Sequence, residues 1–229
     1  MTLLKGALVA FTPTFITPVP NVTVFQFNPE SLTHTWSQPQ RGGNSGIEAG
    51  DPHAVPGMPA EEFSLTVIFN SNEDIADNVP VSAQLAEVSG VYTRLAALEM
   101  LLYPTRGGGM SQLLGQTSAA LGAPCGAASS VPQSTTPFVL FVWGPFRIVP
   151  VRVTGLTIVE KLYDTLLNPV YAEVQLKLDV LTPSELKAAT AHPVLAKLAT
   201  AAYVYTLGLR ETGAVANLGN AGATLAGML

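Results

Sequence analysis

Residues Ala172–Val180 read Ala-Glu-Val-Gln-Leu-Lys-Leu-Asp-Val. Ala172, Val174, Leu176, Leu178 and Val180 fall on one side of an extended chain; Glu173, Gln175, Lys177 and Asp179 fall on the other. One apolar and one polar set alternating with a period of two is the pattern of a half-buried antiparallel strand. Upstream, Phe63, Leu65, Val67 and Phe69 repeat it, with Ile68 interrupting the polar set. Further strands are expected at Gly6–Phe11, Val22–Phe27, Phe138–Trp143 and Phe146–Glu160, the last long enough to bend near Gly155. Gly144-Pro145 supplies turn chemistry between two of them, and Asn168-Pro169 opens the final strand.

Helical spacing is confined to fewer places. From Gln84 to Leu102, the residues Leu85, Val88, Val91, Leu95, Leu98 and Leu102 form one apolar stripe, which stops before Tyr103-Pro104. A second helix starts at Thr182-Pro183-Ser184-Glu185, where Thr182 caps, Pro183 suits the first position and Glu185 completes a capping box. His192-Pro193 interrupts it, and a further helix is expected from Val194 to about Leu207. Residues 37–60 and 105–136 are rich in Gly, Pro, Ala and Ser and read as long loops, ordered by neighbours or flexible. The division is therefore a β-domain over 1–181 and a helical, small-residue-rich extension over 182–229.

Composition narrows the class. Hydrophobic residues make up 48% of the 229 and charged residues 12%, about half the charge of an ordinary soluble domain. A surface so short of charge is expected to be covered by other subunits. The chain has no apolar run of the roughly 18 residues that a membrane span requires. The opening Met1-Thr-Leu-Leu-Lys-Gly6 does not read as a secretory signal, and the single Cys125 suits a reducing compartment, so a cytoplasmic location is expected. A net charge of −5 gives nucleic-acid binding no electrostatic support.

The chemistry-bearing residues are scattered. His34, His53 and His192 lack partners at metal-ligand spacing, and Asp51-Pro52-His53 reads as ordinary loop. Ser45 lies in Gly42-Gly-Asn-Ser-Gly-Ile47, which is not a nucleophile elbow. Gly107-Gly-Gly109 is not followed by the Lys-Ser/Thr of a phosphate cradle. Glu61-Glu62 is an adjacent carboxylate pair, and its place at the head of a strand makes it a solvated strand start. Trp143 is expected in the core; Trp36, among polar residues, reads as a surface residue or an anchor against a partner. No catalytic, cofactor-binding or metal-binding residue is assigned, and no enzyme activity is expected.

The order of blocks, however, resembles a known family. Val24-Phe-Gln-Phe-Asn-Pro-Glu-Ser-Leu32 looks like the opening F-x-F-N-P-E-S-L of the tube-adaptor family of contractile, phage-tail-like injection systems. The Glu62–Phe69 strand, the Leu95–Leu102 helix followed by proline, and Val139-Leu-Phe-Val-Trp-Gly144 follow in the family's order. Leu167-Asn-Pro-Val-Tyr-Ala-Glu-Val174 closes the series, with Asn168 and Tyr171 where the family often has glycine and arginine. The motif residues so matched are Phe25, Phe27, Asn28, Pro29, Glu30, Phe141, Trp143, Gly144, Asn168, Pro169 and Glu173. The resemblance spans residues 4–181; a helix and small-residue tail follow in place of the family's LysM-type module.

The resemblance implies a mainly β, α+β fold: a tail-tube-like antiparallel β-sandwich or barrel with one flanking helix. It implies a structural protein of the baseplate hub, an adaptor or tube-initiating ring with six-fold self-association. Its partners would be the hub-spike protein, the inner tube protein and possible baseplate wedge proteins, inside a phage-tail-like particle. Another inner-tube or baseplate component of the same machine is the alternative, and a free-standing ligand-binding β-module is the alternative from a different class. By analogy, Glu173, Gln175, Lys177 and Asp179 would line either the lumen or a subunit boundary.

Overall fold

The computed structural model describes residues 4–12, 19–39, 57–76, 88–103, 136–189 and 193–226. Among these residues seven strands are formed: β1 (Ala7–Thr12), β2 (Val19–Val24), β3 (Leu32–Ser37), β4 (Ala60–Asn70), β5 (Phe138–Val142), β6 (Ile148–Tyr163) and β7 (Pro169–Val180). Among the same residues the helices are α1 (Ser71–Ala76), α2 (Tyr92–Glu99), α3 (Pro183–Ala189) and α4 (Pro193–Ala226). The expected loops at 37–60 and 105–136 fall almost wholly outside the described residues, as do Ser45, Asp51, His53, Gly107, Cys125 and His192.

All seven strands belong to one sheet of order β2-β1-β5-β6-β7-β4-β3, and every neighbouring pair is antiparallel. The fold is thus mainly antiparallel β with a few helices. The strands form one continuous sheet. The sheet is rolled. Phe63 on β4 and Phe141 on β5 are three strand spacings apart, about 14 Å in a flat sheet, yet their ring centroids lie 5.3 Å apart. Only strong curvature brings opposite walls that close.

The inner face of the roll is the core. On β7 the sequence alternation is realised fully: Ala172, Val174, Leu176 and Leu178 are completely buried, with Val180 nearly so. Phe63, Leu65, Val67 and Phe69 of β4 face them in register. Val139 and Phe141, with Val149, Val151 and Val153, extend the same layer. The bend expected near Gly155 is a register shift between Val153 and Gly155, where Lys177 packs against the glycine from the facing strand. A side chain at Gly155 would press on that lysine stem, so the bulge and the missing Cβ go together.

Several boundaries differ from expectation. The first differences lie in the strands. β2 ends at Val24, so Phe25 and Phe27 leave the sheet; β6 runs on to Tyr163. β3 was not expected at all, because its Leu32-Thr-His-Thr-Trp-Ser37 alternates residues of middling polarity. The expected helix at Gln84–Leu102 is broken. Gly90 has φ +57, and α2 starts after it, so Val91, Leu95, Leu98 and Leu101 are buried while Val88 is 73% exposed. At α3 the glutamate half of the capping box is seen, the Glu185 carboxylate accepting from Thr182 N at 2.8 Å and from Thr182 Oγ1 at 2.7 Å. α4 starts at Pro193 as the proline requires, but continues to Ala226, well past Leu207. Leu195, Ala199, Tyr203 and Thr206 form its buried stripe, and Glu211–Leu218 are all exposed.

Candidate assembly surface

The motif residues occupy three joints of the roll. At the first, Asn28 accepts from Gly6 N through Oδ1 at 3.0 Å and donates through Nδ2 to Leu4 O at 2.8 Å. One carboxamide thereby pins the lead-in to β1, and Phe25 N bonds Gly6 O at 2.8 Å beside it. Phe25 is fully buried, while Phe27 is 40% exposed, Pro29 half-buried and Glu30 exposed. Gln26, between the aromatics, clips the end of β4: its amide donates to Asn70 O at 2.8 Å and accepts from Asn70 N at 2.7 Å. Polar groups this enclosed stay only because they are paired.

The second joint is aromatic. Trp143 stands 5.9 Å from Phe141 and 6.5 Å from Phe25, and Phe141 meets Phe63. Trp143 is half-buried, at the lip of the core rather than inside it. Any Cβ at Gly6 would fall within 2.8 Å of both Phe25 and Trp143, so the rings close over bare backbone. Gly144, at φ +68, turns the chain back and lets Trp143 N bond Arg147 O at 2.8 Å.

At the third joint, Asn168 Nδ2 reaches Val88 O at 3.1 Å and Pro169 O accepts from Val91 N at 2.8 Å, fastening the β6–β7 hairpin to the start of α2. Gly90 is required here, since a Cβ would meet Pro169 O at 2.2 Å. Asp164 orders the turn itself. Its carboxylate accepts from the Asn168 side chain and from the backbone of Asn168 and Leu166, which holds it below the ordinary aspartate range. Leu162 and Leu167 adopt φ +56 and +64, and these two with Leu166 are each at least 70% exposed.

The outer face of the roll carries the polar set of β7. Gln175 and Lys177 are exposed, Glu173 and Asp179 half-exposed. Glu173 pairs with Lys161 of β6 at 2.6 Å, and Asp179 meets Arg152 at 3.4 Å and Thr154 Oγ1 at 3.2 Å. Such pairs contribute well under about 1 kcal/mol each at the surface. They nevertheless make the face polar and mixed in sign.

The charged cluster at the other end of the roll was not expected. Glu61 and Glu62 sit on opposite faces of β4. Glu62 is exposed, but the Glu61 side chain is 2% exposed, which overturns the reading of both as a solvated strand start. Glu61 accepts two bonds from Arg210 of α4, Nη1 to Oε2 at 3.0 Å and Nη2 to Oε1 at 2.5 Å, and a third from His34 Nε2 at 2.7 Å. His34, isolated in sequence, stacks on Phe63 at 4.2 Å, and Arg210 lies 4.7 Å over Trp36. Burial lowers the His34 pKa against the raising influence of Glu61, and Arg147 and Arg210 lower it further. The imidazole is therefore neutral at pH 7 and donates from Nε2. Sequence could offer no signal for this cluster, because its partners lie up to 149 residues apart.

A cleft of about 490 Å³ opens beside this end, lined in part by Glu62, Arg152, Asp179, Thr182 and Glu185. Much of its charge is already engaged, Arg152 with Asp179 and Glu185 with Thr182. Among the described residues there is no group of three His, Cys, Asp or Glu side chains able to hold a metal, and no helix long and apolar enough to cross a membrane. No protein-family model matches the chain, and no curated protein matches it.

Proposed function

We propose that this chain is a structural ring subunit of a contractile injection system, the adaptor or tube-initiating ring between hub-spike and inner tube. The observation that carries the reading is the coincidence of motif and joint. The three short motifs that resemble the tube-adaptor family each fall where the rolled sheet is fastened: Asn28 to β1, Trp143 to Phe25 and Phe141, and Asn168-Pro169 to α2. Motifs of this kind specify a scaffold and not a reaction centre.

Three further features support it. β2 and β3 end the sheet, each paired on one side only among the described residues, and such edges suit pairing with a neighbour in a ring. Low charge leaves exposed apolar side chains such as Phe146, Leu166, Leu167 and Val215, which other subunits would cover. The polar outer face of β7 offers Gln175 and Lys177 as a lumen or boundary surface. In this reading the protein acts by assembly, with no catalytic step.

The test is co-expression with a hub-spike protein and an inner-tube protein of a contractile injection system from the same genome. Tagged chain should retain both through purification. Recovery of the chain alone, with neither partner bound under low-salt conditions, would contradict the proposal.

A further inference from the structure

The Glu61 cluster joins α4 to the sheet at one charged point, and the surroundings of that point are unbalanced. Glu61 on β4 is the buried carboxylate. Facing it are Arg210 from α4, Arg147 from the β5–β6 turn, and His34 from β3. Tyr203 of α4 and Glu185 of α3 complete the ionisable neighbourhood, and the Tyr203 hydroxyl is held neutral by burial and by Glu61. With His34 neutral, two guanidiniums share one carboxylate. A proton on His34 makes three cations around that carboxylate, at half-buried positions where screening is weak.

The three cations are not equally free to leave. His34 is fixed in a strand and stacked on Phe63, and Arg147 is fixed by its carbonyl bond to Trp143 and lies 5.3 Å over the Phe63 ring. Arg210 makes a contact with the sheet near the end of the described part of α4, and the next eight residues of the helix are all exposed. The helix is also held by Leu195, Ala199 and Tyr203, by Leu207 against the core, by Thr206, whose hydroxyl donates to Ile148 O at 2.7 Å and accepts from Ile148 N at 3.1 Å, and by Tyr205, whose hydroxyl donates to Pro145 O at 3.0 Å. We propose that α4 is a proton-sensitive arm: His34 protonation expels Arg210 from Glu61 and frees the helix from its distal end toward Thr206, with the rolled sheet unchanged. This inference concerns the arm alone and stands independently of the ring reading.

Hydrogen exchange of the full chain, followed by mass spectrometry and corrected for intrinsic rates, reads the arm and the sheet separately. Between pH 7.5 and 5.5, amides of residues 204–212 should lose at least tenfold more protection than amides of 172–180. Arg210→Gln leaves Glu61 bonded to His34, and should show the low 204–212 protection already at pH 7.5. His34→Gln should remove the pH dependence while keeping the helix docked, since the amide can still donate to Glu61. The proposal is overturned if helix and sheet lose protection together, if Arg210→Gln leaves 204–212 protected at pH 7.5, or if the pH dependence survives His34→Gln.

Discussion

Gly90 and His34 show how single residues set what this sheet can tolerate. Gly90 holds φ +57 with Pro169 O where a Cβ would stand. Gly90→Ala therefore combines a left-handed backbone with a clash against main chain, and should cost on the order of 3 kcal/mol. A urea midpoint within error of the parent protein would mean the α2 start is not fastened to the hairpin. His34 makes a second prediction, in pH. Its folded pKa lies below 6.5, chiefly through burial, so the unfolded chain takes up the proton first. Its contribution to stability is therefore complete above 6.5 and is lost as pH falls through that value toward the folded one. Denaturation at pH 8, 6.5 and 5.5 should show a decline that His34→Gln lacks; equal pH profiles for the two proteins would refute the assignment.

At the scale of elements, legibility followed periodicity. β4 and β7 were readable because each buries every second residue against a core on one side only, which forces Phe63–Phe69 and Ala172–Val180 into strict alternation. β3 was not, because an edge strand with exposed Thr33, Thr35 and Trp36 buries too little to impose a pattern. The α2 stripe was half readable: Val91, Leu95 and Leu98 follow from spacing, but Val88 continues the same spacing across a glycine that the hairpin needs in a left-handed conformation. The joints at Asn28 and Asn168 were visible as motifs, while the Glu61 cluster depended on contacts that only the folded chain creates. Leu98 is fully buried between α2 and the sheet, so Leu98→Asp places an unpaired carboxylate there. That should cost several kcal/mol, on the order of a whole domain's stability, and abolish the cooperative melt. A normal melting transition would place Leu98 against solvent or a partner.

The whole molecule is a rolled sheet with a packed interior, a polar outer face and two strands, β2 and β3, that end it. Its helices add to the core: α2 contributes Leu95 and Leu98, and α4 contributes Tyr203. The chain is poor in charge, and its described residues expose leucines, tyrosines and valines. The ring proposed above would pair these edges and cover these apolar side chains. The alternative of a free-standing binding module leaves both unresolved, and the cleft beside Glu62 has much of its charge engaged internally. Sedimentation velocity of the purified full chain over a hundredfold concentration range tests this most directly. The account predicts a discrete species near six times the 24.0 kDa protomer, growing with concentration at the expense of smaller forms. A single monomeric species across the whole range would contradict it.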